Sequence, residues 1–151
     1  MYLNRFNNSL NIIRKFQSGA NRIPSGFIKL AFYKIAEYLK LKDCEINLVL
    51  CSDKFIEKLN RNYRNKNCPT DVLSFQINGI NPESGRTMLG EIIISLEKTG
   101  RQSELFTVSF KDELFRLFVH GILHLTGFTH ETPDKLKIMN RKTDAILKKI
   151  L

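Results

Sequence analysis

The stretch FKDELFRLFVHGILHLTGFTH, residues Phe110 to His130, decides how the chain is read. Leu114, Phe115, Leu117, Phe118, Val119, Ile122, Leu123 and Leu125 make it apolar on most sides, as expected of a buried helix over roughly 110–126. Ser109 and Asp112 have the spacing of a capping box at its start, and Gly127 is placed to stop it. All three histidines of the chain fall within its last eleven residues. His120 and His124 are separated by four positions, so on a helix they share one face, one turn apart. Gly127 lets the chain fold back, and His130 can then approach the same point. Two histidines in so apolar a setting carry a desolvation cost that calls for partners. One cation serves both. Three neutral imidazoles with an open fourth position are the usual protein ligands of a catalytic zinc.

The spacing HxxxHxxGxxH also matches the long zinc motif of metzincin proteases, which carry Glu directly after the first His as general base. Gly121 stands there in this chain. Glycine takes no proton from water, so the usual route of peptide hydrolysis lacks its base.

Outward from this segment, Ser25 opens an amphipathic helix over 25–41, with Ile28, Ala31, Phe32, Ile35 and Leu39 at helical spacing. Glu45 to Cys51 alternates as a strand through Ile46, Leu48 and Leu50. Ser52-Asp53 offers an N-cap to a helix running through Phe55, Ile56 and Leu59 towards Tyr63. Asn67-Cys68-Pro69 breaks that helix, and Asp71 to Ile77 reads as a strand with Leu73, Phe75 and Ile77 on one side. Asn78 to Thr87 has the composition of a hairpin loop, and Glu91 to Ser95 that of a central strand. Thr132-Pro133-Asp134 starts a last helix whose stripe is Leu136, Met139, Ile146 and Ile150. The expectation is one α+β domain over 1–151, with a small mixed sheet of about four strands and about five helices, and with the metal site on a helix and the loop after it.

The chain of 151 residues, 42% hydrophobic and 26% charged, has the balance of a globular protein. Its apolar runs are too short to span a bilayer, and its first residues lack a secretory pattern, so the cytoplasm is the expected compartment. Cys44, Cys51 and Cys68 form no CxxC pair and read as reduced, partly buried thiols. A net charge of +9 favours polyanionic partners.

HGILHLTGFTH is similar to the HGxLHLxGYDH motif of the YbeY family, at all three histidines, both glycines and both leucines. Leu59 to Phe75, LNRNYRNKNCPTDVLSF, resembles that family's LNxxYRxKDxPTDVLSF, and Leu89 to Ser95, LGEIIIS, resembles its LGDIxIS. The resemblance spans about residues 25–150. It implies an α+β fold, one Zn2+ held by His120, His124 and His130, and cleavage of single-stranded RNA. The implied role is maturation of ribosomal RNA at the small-subunit 3′ end, and ribosome quality control. The implied partners are single-stranded RNA, ribosomal RNA and the small ribosomal subunit, with neither DNA nor membrane.

His120 is then catalytic as well as a metal ligand. Arg64 falls on the family's functionally implicated arginine, where a guanidinium can grip a phosphate through two hydrogen bonds. Lys66 adds positive potential for substrate binding. Asp71 reads either as the cap of the turn entering its strand or as the acceptor that orients a ligand imidazole. Ser74 reads as a strand residue rather than a nucleophile. Thr129 and Glu91 stand where the family usually has Asp, which implies tuning rather than loss of the site. Two other readings stand beside the endoribonuclease: a zinc-containing ribosome-assembly or RNA-binding factor, and a metallohydrolase of the metzincin-like protease type. On the endoribonuclease reading, the attacking group is either water or the RNA 2′-hydroxyl.

Overall fold

In the computed structural model, residues 4–16, 22–64 and 70–151 are described, with the Arg64 side chain left aside. Four strands and five helices follow in the order β1 (Ser9–Arg14), α1 (Ser25–Tyr38), β2 (Cys44–Cys51), α2 (Asp53–Arg64), β3 (Val72–Ile80), β4 (Thr87–Ser95), α3 (Leu96–Leu105), α4 (Phe110–Leu125) and α5 (Pro133–Ile150). The sheet runs β1-β2-β4-β3. β1 and β4 pair with β2 in parallel, and β3 pairs with β4 antiparallel. The α+β expectation, with a mixed four-stranded sheet, is met.

The side-chain period of two divides the sheet's apolar residues between two cores. Ile46, Leu48 and Leu50 of β2 and Ile92 and Ile94 of β4 face a large core filled by α1, α4 and α5. Val49, Cys51, Leu73 and Ile93 point the other way, onto Ile56 of α2. Central strands buried on both faces are near-continuous in apolar residues, which is why β2 and β4 were readable. Met139 and Ile146 of α5 are fully buried.

Several boundaries move. The first helix ends at Tyr38, because Lys40 takes a left-handed φ of 58° and the Leu41 amide donates back to the Ala36 carbonyl. The expected loop 78–87 is shorter, since Gly79 pairs with Met88 and Ile80 with Thr87. Leu136 and Ile77, expected on buried faces, are 42% and 51% exposed. β1 and α3 carried no assigned pattern. β1 is an edge strand with Leu10 its one fully buried apolar residue. α3 buries only Leu96, Thr99 and Ser103, too little apolar surface to show a helical period.

Glu45 is almost fully buried, yet its carboxylate has partners: Asn81 Nδ2, Ser84 Oγ and Arg86 Nη1 donate to it. These hydrogen bonds, Ser84's foremost, hold its carboxyl below the usual range and pin the β3–β4 turn onto β2. Cys44 and Cys51 are buried, and desolvation pushes their thiols up to about 11 and about 12, which makes them unreactive as expected. Cys68 lies outside the described residues.

Candidate metal centre

α4 is fixed at both ends before it presents any ligand. Ser109 Oγ accepts from the Asp112 amide at 3.0 Å, the expected N-cap. At the other end Gly127 takes a φ of 105°. The Phe128 amide donates to the Leu123 carbonyl at 3.0 Å and the Gly127 amide to the His124 carbonyl at 3.2 Å. That pair of bonds is a Schellman ending, and it reverses the chain so that His130 returns towards the helix. Phe128 packs on the large core as the chain turns.

Gly121 is required by packing as much as by chemistry. A Cβ added there would lie 2.7 Å from Cγ2 of Ile92, on the central strand β4. The helix therefore seats its glycine directly on the sheet, which leaves His120 and His124 to face the cleft. A larger residue in the place where proteases carry their base would point into Ile92.

The Nε2 atoms of His120 and His124 lie 3.1 Å apart. Two nitrogens at about 2.0–2.1 Å from one tetrahedral ion are separated by about 3.3 Å, so this pair already has the spacing of metal ligands. With His130 included, one ring nitrogen from each residue lies within 4.8 Å of the others. The His130 ring is 5.8 Å from that of His120 and 4.9 Å from that of His124, centroid to centroid. Burial, and then the neighbouring His124 and His130, lower the His120 pKa from 6.5 to about 4. The imidazole is thus neutral at neutral pH, as a metal ligand must be. Three converging ring nitrogens, with no thiolate beside them among the described residues, fit a divalent ion of borderline softness.

The centre opens into a cleft of about 930 Å³, whose walls include Asp71, Ser74, Phe75, Gln76 and Thr129. Of the two roles expected of Asp71, the cap of the turn is the one its hydrogen bond fills. Its Oδ1 accepts from the Val72 amide at 2.8 Å, capping the turn into β3. Its charge also acts on His120, raising that pKa against the stronger effect of burial. Ser74 sits on β3 as expected and directs its hydroxyl to the Gly121 carbonyl at 3.5 Å. Glu91 accepts from Asn47 Nδ2 at 3.4 Å, across the paired strands β2 and β4. Gln76 was not foreseen. Its Nε2 donates to the His124 carbonyl at 3.1 Å, tying β3 to the last turn of α4. The signal was its place two residues after Ser74 on the strand, hence on the same face. Arg64 closes α2, but its side chain, like Lys66, lies outside the described residues.

Comparison with known proteins adds the company this site keeps. The family profile described as Endoribonuclease YbeY matches residues 16–151. An Endoribonuclease YbeY of Persephonella marina is 38% identical over 133 residues, covering 87% of each chain. That of Halalkalibacterium halodurans is 39% identical over 130 residues, covering 80% of this chain and 82% of the relative. The solution structure of TM1509 from Thermotoga maritima superposes with a TM-score of 0.64 at 27% identity, over 93% of this chain and 88% of that one.

Proposed function

The chain belongs to the Endoribonuclease YbeY family, and on that premise we propose that it is a zinc-dependent endoribonuclease specific for single-stranded RNA. Its substrate is ribosomal RNA on the small subunit, at the 3′ end, and its work is rRNA maturation and ribosome quality control in the cytoplasm. The whole chain, 1–151, acts as one domain. The observation that carries the reading is the convergence of the three histidine nitrogens in the lining of an open cleft. No helix among the described residues is long and apolar enough to cross a membrane.

On this reading His120, His124 and His130 hold one zinc ion. Bound there, the ion supplies Lewis acidity, so that cleavage at neutral pH needs no carboxylate base. That is the chemistry which Gly121 leaves to be supplied. His120 and His124 keep a fixed aim because their helix is capped at both ends and seated on Ile92. Gln76 ties the last turn of that helix to β3. Arg64 grips the scissile phosphate and holds the charge that grows on its oxygens, with Lys66 adding positive potential. The excess of cations in the chain draws the polyanion in.

The test is cleavage of single-stranded RNA by the pure protein, with and without chelator, beside a His120→Ala control. Cleavage lost with chelator and in the variant supports the reading. Tight RNA binding with no cleavage by the zinc-loaded protein would replace it with that of an assembly factor.

A further inference from the structure

Against Phe75, which lines the cleft of the three histidines, stands an exposed aromatic side chain. Tyr63, in the last turn of α2, is 70% exposed and adds little to either core. Its ring nevertheless meets Phe75 edge to face, with centroids 5.6 Å apart and planes at 63°. Such an edge-to-face contact is favourable beyond the area it buries and biases the orientation of an exposed ring. Phe75 itself is anchored, because it packs on the smaller core beneath α2 and also lines the cleft of the three histidines. A half-buried ring that lines the cleft thus holds an exposed one beside it. Phe75 sits on β3, which is an edge strand of the sheet, and Tyr63 meets it from α2.

We propose that Tyr63, braced by Phe75, is the stacking platform on which a base of the RNA strand rests as the strand enters the cleft. The inference rests on the endoribonuclease reading and adds to it a means of holding single strands. Every base has a π-face, so a tyrosine ring binds bases without reading sequence, and only unpaired bases can reach it. Two side-chain torsions make tyrosine cheap to immobilise. Selection of single strands then comes from the aromatic pair, while the cationic surface supplies attraction that single and double strands share.

Binding of a short oligoadenylate by the full chain, in chelator so that no strand is cut, tests this. Stacking on one aromatic is worth about 1–3 kcal/mol per base, so Tyr63→Ala should weaken binding roughly 5- to 150-fold. Tyr63→Phe should restore most of that loss, because the ring and not the hydroxyl does the stacking. An oligoadenylate with one abasic position, moved along the strand, supplies a measurement that needs no variant to fold. At one position the abasic substitution should cost the unmodified protein about as much as Tyr63→Ala, and it should cost Tyr63→Ala little more. Equal binding by the unmodified protein and Tyr63→Ala would overturn the platform and leave the nuclease reading standing. So would a loss that adds independently at every abasic position. If the unmodified protein binds no single-stranded RNA even with zinc restored, both readings fail together.

Discussion

Two helices end in opposite ways: α4 carries its histidines to the cleft, and α2 ends against Phe75, which lines it. α4 is the most deeply embedded helix of the molecule, with ten buried residues, and its last turn is closed by a Schellman ending over Gly127. α2 runs out with Arg61, Asn62 and Tyr63 all exposed, and only Ile56 and Asn60 are buried along its described length. The contrast teaches a division of labour. Ligand nitrogens must be placed to within tenths of an ångström, and a buried, doubly capped helix does that. A grip on a flexible polymer needs reach and contact area, which an exposed helix end supplies.

The largest effect should follow from cutting into the rigid end. His124→Ala removes a ligand outright, and since even outlying partners of metal ligands typically cost about 10–100-fold in affinity, zinc binding should fall by more than about 100-fold. Calorimetric titration of zinc into the variant checks this, with cleavage lost in parallel. Near-normal zinc affinity would remove His124 from the site.

Arg64→Ala cuts into the exposed end. Loss of a charge-assisted contact worth about 1.5–3 kcal/mol should slow cleavage roughly 10- to 150-fold with zinc binding intact. The log–log salt slope of RNA binding should flatten by about 0.7, as for one phosphate contact on a single strand. Full cleavage by the zinc-loaded variant would clear Arg64 of any role.

Gly121→Ala sharpens the comparison within α4. Overpacking against Ile92 should destabilise the fold by about 1–3 kcal/mol in denaturant melts, and zinc affinity should drop as the helix is pushed off the sheet. Ser109→Ala, eleven residues before His120 on the same helix, should cost about 1 kcal/mol of stability and leave zinc affinity alone.

The smallest effect near neutrality concerns protons. The folded pKa of His120 lies below its ordinary value, so between about 6.5 and about 4 the unfolded chain binds the extra proton and the metal-free fold loses stability as pH falls. Partial exposure of the ring weakens this through solvent screening. Melts of metal-free protein at descending pH, with His120→Asn for comparison, measure the slope. An unchanged slope in the variant would assign the loss to other groups.

Much of this was legible along the chain. The period of 3.6 residues places His120 and His124 on one helix face whatever the rest of the fold does. Ser109, Gly127 and Thr132 act on backbone groups three or four residues away and do what local hydrogen bonding demands. Central strands and the buried helix announced themselves through runs of apolar residues. β1 and α3 did not, because one is an edge strand and the other packs small and polar side chains. The Glu45 network escaped for a different reason, since it joins partners 36, 39 and 41 positions apart.

Those long separations mark where reading along the chain stops. By itself the sequence determined four of the five helices, the central strands, the convergence of two histidines and, through its three motif blocks, the family. Only the tertiary structure decided that Gly121 is a seat on Ile92, that Gln76 reaches the His124 carbonyl across 48 positions, and that Asp71 lines the same cleft as His120. The same holds for the Tyr63–Phe75 contact. Helical and strand periods are properties of the local backbone, whereas each of these contacts depends on which strand lies beside which helix, and that follows only from how the whole apolar surface is buried.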